Sequence, residues 1–269
     1  MQTQNRIEEI TSLLQEGVSM VYSSDAWREL LLFQSKFYNY SFKNMMLIYF
    51  QKPNASQIGN MKFWNSLGRR VKIGETSLRI WAPIEKKVRN DETEEEETKR
   101  TGWFLAPVYD VSQTHGKELP SLIQELSMDT GTLRGFYQTL KAACPFPVEE
   151  RKLDNGVKGY FDYSTESIAV KKGLASLHKC KTLVHEMAHG LLHKETNQSR
   201  GVREVEAEGT AFVVLSYFGF DTSEYSFGYV AGWNGSKDAT AIMDSGKTIQ
   251  ETAKRIIKQI EQQKQSEAA

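Results

Sequence analysis

The sequence has little of what would place it outside a cell or in a membrane. Two cysteines, Cys144 and Cys180, stand among 269 residues. They lack metal-ligand spacing, so incidental thiols in a reducing compartment are expected. No run of eighteen apolar residues exists, so no membrane-spanning helix is expected. The opening MQTQNRIEEITSLLQEG has no basic segment leading into an apolar one, which argues against a secretion signal and for a cytoplasmic chain. Histidine is scarce too, with five in the chain. Three of them, His185, His189 and His193, crowd into nine residues.

Net charge is also missing, since 34 Lys and Arg balance 34 Asp and Glu. The balance hides a segregation. Residues 36–90 carry eleven basic side chains against Glu75 and Glu85, a net of +9. The acidic run DETEEEE, Asp91 to Glu97, follows at once. A basic block of this kind points to a polyanionic partner.

Apolar periodicity predicts helices over 7–18, from Ser24 or Asp25 onward, and over SFKNMMLIYFQ from Ser41 to just before Pro53. NMKFWNSLG is a short helix capped by Asn60 and ended at Gly68. RRVKI, LRIWAPI and WFLAPVYDV read as strands. The acidic run is expected as an exposed loop between two strands of one sheet. After a connector come a helix in TLRGFYQTLKAA, a hairpin in VKGYFDYSTESIAVKKG and a helix over about 174–192. REVEAEGTAFVVLSYFG, SEYSFGYVAGW and IQETAKRIIKQIEQQ read as further helices.

KTLVHEMAHGLLH places His185 and His189 four apart, on one helix face, able to address one ion. Zinc accepts imidazole nitrogen, and a catalytic zinc takes three protein ligands plus a water. Glu186 stands beside the first histidine, placed to take a proton from that water. The third ligand should come from VREVEAEGTAF, which offers Glu204, Glu206 and Glu208; the others would be surface residues or partners of the histidines. His193 has turned by about 80° from His185 and is expected to be a helix-end residue. His178 and His115 are expected to be ordinary. Tyr217, Tyr225 and Tyr229 are oxyanion candidates by chemistry. The hairpin before the site offers a strand edge for an extended peptide.

TLVHEMAHGLLH with REVEAEGTAFVV resembles the ImmA/IrrE metallopeptidases, from about Gly131 to the end. The resemblance implies one zinc per chain and a glutamate ligand at Glu206, the glutamate directly before Ala207, with Glu204 as runner-up.

The basic block also holds nine aromatics. A basic groove with aromatic faces is how single strands are held. Lys62, Arg69, Arg70, Lys72 and Arg79 are the candidate phosphate contacts; Trp64 and Tyr40 are the candidate stacking residues. The marks Y-S-F-K-N-M, Q-K-P, W-x-x-L-G-R-x-V-K-x-G-E and D-V-S-Q-T resemble the single-stranded-DNA-binding domain of ArdC-type antirestriction proteins, over about Ile7 to Pro120. That family joins this domain to a zinc-metallopeptidase-like domain, is carried by mobile elements, and protects incoming single-stranded DNA. The metal helices are closer to ImmA/IrrE than to the best-known members, and the acidic insert is a departure that could fold back over the basic groove.

The expectation is therefore an α+β chain: a helical and small-sheet single-stranded-DNA-binding domain over 1–125, then a zincin-like domain over 126–269 with a small antiparallel sheet. Its partners would be single-stranded DNA and a peptide or protein, with no membrane. Two alternatives stay open: a metalloprotease cutting a regulatory or DNA-bound protein, with DNA for localisation, and a binding protein with a structural metal.

Overall fold

The structure, a computed structural model, describes residues 24–89, 96–119, 130–222 and 239–268. The expected helices at 7–18 and 223–233 and most of the acidic insert lie outside these residues. The chain forms two compact units that do not follow linear order. Among the described residues, one contains 43–89 and 96–119; the other contains 24–42, 130–222 and 239–268. The second helix of the predicted DNA-binding half thus belongs to the second unit.

In the first unit, β1 (Ile58–Gly59), β4 (Glu96–Asp110) and β3 (Leu78–Arg89) form an antiparallel sheet in that order. β3 and β4 run as one long ladder from Leu78↔Val108 to Arg89↔Glu96, with a register shift between Ile84 and Glu85. The acidic insert therefore joins two paired strands; whether it covers a basic surface lies outside the described residues. Leu78, Ile80 and Val108 are buried on one face of the ladder. β3 is an edge strand, and α2 (Phe42–Gln51) satisfies that edge with side chains. Asn44 accepts from Trp81 N–H at 2.8 Å and donates to Trp81 O at 2.8 Å. Gln51 does the same for Arg79, at 2.9 Å both ways. Two amides seven residues apart thus imitate a neighbouring strand and leave no sticky edge there.

Asn60 caps α3 (Met61–Ser66), accepting from Phe63 N–H as the sequence predicts. β2 (Arg69–Val71) pairs with β5 (Thr114–Gly116). The D-V-S-Q-T segment between β4 and β5 is a lock. The buried Asp110 carboxylate accepts from the backbone N–H groups of Ser56, Gln57 and Ser112. Gln113 accepts from Asp110 N–H and donates to Glu75 and Thr76 O. Three loops are pinned by two side chains.

In the second unit, α1 (Ser24–Lys36) joins α4 (Thr130–Ala143), α5 (Ser176–Leu192), α6 (Arg200–Tyr217) and α7 (Ala239–Ala268). α6 is apolar on nearly every side, with Val205, Ala207 and residues 211–215 buried. α7 buries Ile242, Ile249, Ala253, Ile256, Ile257 and Ile260, a helical stripe. α1 packs in because Gln34 donates to Gly246 O, and Gln250 donates to Phe37 O and Tyr40 O.

The sheet of this unit has the order β6 (Val148–Arg151), β8 (Ser167–Lys171), β7 (Gly159–Asp162). β7 and β8 form the expected antiparallel hairpin, and β6 adds to β8 in parallel, so the sheet is mixed. VEER gave no strand signal because it lacks an alternating run of apolar residues. The hairpin turn is set by Asp162, which accepts from Ser164 N–H, Ser164 O–H and Thr165 N–H. β7 is the edge strand beside α5. A side chain at Gly159 would meet Thr182 Cγ2 at 2.4 Å and Ala169 O at 2.8 Å. Glycine lets this strand lie directly on the histidine helix.

Candidate metal centre

α5 is held by the burial of Cys180, Leu183, Val184, Met187 and Ala188. Its remaining face carries His185 and His189, one turn apart, with their Nε2 atoms 3.0 Å from each other. On α6, Glu204 and Glu208 are one turn apart and share a face; Glu206 is turned from both by about 200°. The structure therefore assigns the three glutamates three different places.

Glu204 Oε2 lies 3.5 Å from His185 Nε2 and 3.8 Å from His189 Nε2. His185, His189 and Glu204 are the described residues that could hold a metal ion, their donor atoms all within 4.8 Å of one another. Glu206, the ligand expected from the resemblance, is elsewhere. It is buried with Oε2 at 3.1 Å from His193 Nε2, and Oε1 accepts from Gln198 Nε2 and Ser245 Oγ, each at 3.2 Å. Helical phase is the reason: a residue two positions from Glu204 cannot face the same ion.

Both histidines are oriented from behind. Glu208 Oε2 is 3.1 Å from His185 Nδ1, while its Oε1 is 2.7 Å from Lys181 Nζ. His189 Nδ1 is 2.8 Å from His193 Nδ1. A carboxylate accepts only, so His193 gives its Nε2 proton to Glu206 and accepts at Nδ1 from His189. His185 likewise donates from Nδ1 to Glu208. The two remaining Nε2 atoms then face each other 3.0 Å apart, a contact that needs a positive charge, either a proton or a bound cation, between them. A divalent cation would meet that need. Two ligands at about 2.0–2.1 Å from a tetrahedral zinc would stand about 3.3 Å apart, close to the three separations seen. The donor set fits a divalent ion of this kind.

The electrostatics agree. Burial lowers the proton affinity of His185, but the hydrogen bonds to Glu204 and Glu208 outweigh it and raise its pKa to about 9. For Glu204 the histidine contacts win over burial and hold the carboxyl well below the ordinary range. The pocket stabilises positive charge. Glu186 differs: burial pushes it up, Glu204 pushes the same way, and the histidines and Phe161 N–H pull it down, with a raised net value. A buried carboxylate of raised proton affinity suits a general base.

Tyr217 is not at this site, because its hydroxyl donates to Glu261. Tyr225 and Tyr229 lie outside the described residues. Tyr163, at the end of β7, was not singled out by sequence. Its phenol is raised first by burial and feels Arg203, Glu186 and Glu204. His178 and His115 are half-buried and exposed, outside the metal-type group.

The nucleic-acid candidates fare unevenly. Lys62 and Arg70 are exposed, and Arg79 is half-buried on β3. Lys72 is exposed and donates to Ser112 O. The Arg69 guanidinium is a clamp, donating to Thr114 Oγ1, Thr114 O and Lys117 O. Trp64 has no exposed surface, and its indole N–H donates to Tyr109 O at 3.0 Å. It is a core residue and no stacking platform. Tyr40 belongs to the second unit. Charge counting could not separate a guanidinium used internally from one left to solvent.

Comparison with known proteins decides the lineage. The N-terminal domain of anti-restriction factor ArdC matches residues 2–111, and the IrrE N-terminal-like peptidase domain matches residues 147–232. The chain thus carries an ArdC-type N-terminal domain followed by an IrrE-type peptidase-family domain. An uncharacterized protein of Bacillus anthracis is 26% identical over 97% of this chain, which spans about half of that relative (52%). The antirestriction ArdC protein from plasmid R388 shares the fold. Its Mn(II)-bound crystal structure superposes with a TM-score of 0.53 at 14% identity, covering 93% of this chain and 97% of that one. Its metal-free structure gives 0.50 at 16% identity, covering 83% and 86%. Among the described residues no helix is long and apolar enough to cross a membrane.

Proposed function

We propose that this ArdC-type chain binds single-stranded DNA through its first unit and carries a divalent-metal peptidase centre in its second, serving the protection of incoming DNA. The observation that carries the enzymatic part is the convergence of His185 Nε2, His189 Nε2 and Glu204 Oε2 beside the buried Glu186. Zinc is the ion the two imidazoles favour; manganese fits the carboxylate and the Mn(II)-bound relative.

His185, His189 and Glu204 would hold the ion. The ion would supply Lewis acidity, making a water acidic and a carbonyl electrophilic. Glu186 takes the proton of the attacking water and returns it to the leaving amine. The Phe161 backbone favours its ionised form. β7 lies against α5 as the sheet edge, so an extended peptide would add beside it with its carbonyl near Glu186. Tyr163, 39% exposed just after that strand, would be the phenol to donate to a developing oxyanion.

The test uses Glu186→Gln in two assays: transfer of a plasmid into a restricting recipient, and cleavage of proteins in that recipient's extract. Loss of both protection and cleavage, with metal content unchanged, supports a working peptidase. Full protection by Glu186→Gln would leave a binding protein whose metal is structural.

A further inference from the structure

We infer that one face of the β3–β4 ladder, carrying Arg79, Trp81, Trp103 and Arg100 with Lys43 beside it, is the base-stacking surface for a single strand. This rests on the reading that the first unit binds single-stranded DNA, and it names where. Pro83 pairs with Trp103 and Trp81 with Leu105. Side chains of paired residues share a face, and so do residues two apart, so Trp81 and Trp103 are diagonal neighbours on one side. Arg79 stands on the same side, two residues before Trp81. Trp103 is 52% exposed, an unusual place for an indole with no ligand to meet. Trp81 is half-buried on the same face.

Each ring has its own cation. The Arg100 guanidinium is 4.8 Å from the Trp103 ring centroid, and Lys43 Nζ is 5.4 Å from that of Trp81. A cation against one side of an indole leaves the other side for a base and is placed to meet the flanking phosphate. Alternating flat apolar groups and negative charges is the chemistry of an unpaired strand. A duplex keeps its base faces stacked inside and offers none to these rings. The surface is on rigid paired strands, with Trp81 locked at its backbone by Asn44, so it stands formed before binding.

The experiment uses the full chain and fluorescence anisotropy with two labelled probes of equal length, an oligodeoxythymidine and an abasic strand with the same phosphates. The variants are Trp103→Ala, Trp103→Phe and Arg100→Ala. Trp103→Ala is expected to weaken the thymidine probe about tenfold and leave the abasic probe unchanged, with Trp103→Phe recovering most of the loss. Arg100→Ala should weaken both probes and lower the salt slope by about one. Tight wild-type binding that Trp103→Ala leaves untouched overturns the stacking surface while the DNA reading stands. Wild-type failure to bind either probe at low salt overturns both.

Discussion

The Nδ1 atoms of His189 and His193 are 2.8 Å apart, and the far nitrogen of His193 reaches Glu206 at 3.1 Å. A metal-facing histidine is thus fixed through a second histidine by a carboxylate two side chains from the ion. His193 and Glu206 are buried, at 3% and 2% exposure, and His189 is half-buried. Removing His193, the middle member, should leave His189 free to turn. His193→Ala is expected to lower metal affinity about 10–100-fold, the usual cost of losing an orienting partner. His193→Asn, which keeps a polar group near the Nδ1 position, should recover part of it. Chelator competition on the purified metal-free protein measures this without any substrate. Unchanged affinity in His193→Ala would show that packing alone orients His189.

The three glutamates of α6 should separate in the same assay. Glu204→Gln removes a ligand and should give the largest loss of affinity. Glu208→Gln and Glu206→Gln each remove the acceptor behind a histidine and should cost about tenfold or somewhat more. Glu186→Gln should leave affinity nearly intact, since Glu186 is not among the three residues whose donor atoms converge. If Glu206→Gln instead abolished metal binding while Glu204→Gln bound normally, the ligand would be Glu206 after all.

This division explains what the sequence could and could not disclose. Histidines at i and i+4 need only helical periodicity to meet, so His185, His189 and Glu186 were legible. The choice among Glu204, Glu206 and Glu208 depends on how α6 is rotated against α5, and nothing local encodes that rotation. The role of His193 was invisible for the same reason: its partner comes from another helix. In the first unit, Asn60 and Gly68 marked their helix because capping is local. Trp64 was a candidate and Trp103 was not singled out, since the burial of a helical indole and the exposure of a strand indole depend on packing that local sequence does not carry. The D-V-S-Q-T mark, read as a family signature, is at bottom a hydrogen-bonding device.

Gly159 gives a test of how tightly β7 rests on α5. Its added methyl in Gly159→Ala would overlap Thr182 and Ala169 O, which are side chain and backbone on two different elements. Overpacking of this kind costs about 1–3 kcal/mol. Because the same methyl would also stand 3.6 Å from Glu186 Cγ, any hydrolysis should fall by more than metal affinity does. Denaturant unfolding and a metal titration on the same sample distinguish the two effects. A variant as stable as wild type would mean that β7 stands off the helix.

Asp110 makes a prediction for pH. Burial pushes its carboxyl up, but Ser112 and the backbone N–H groups of Ser56, Ser112 and Gln57 pull it lower still, so its folded pKa lies below the ordinary value. A depressed carboxyl stabilises the fold above the unfolded pKa, about 3.9. That contribution fades as pH falls below this value toward the folded pKa. Asp110→Asn keeps the shape but turns an N–H toward the Ser112 N–H it should accept from. It should destabilise the first unit by about 2 kcal/mol at pH 7. Wild type loses its own advantage in acid, so the gap between the two should narrow between pH 4 and pH 2 or 3. Urea unfolding at pH 7, 5 and 3 reads this directly. A gap that stays constant across the series would mean that the Asp110 negative charge adds nothing, and that the lock works by shape alone.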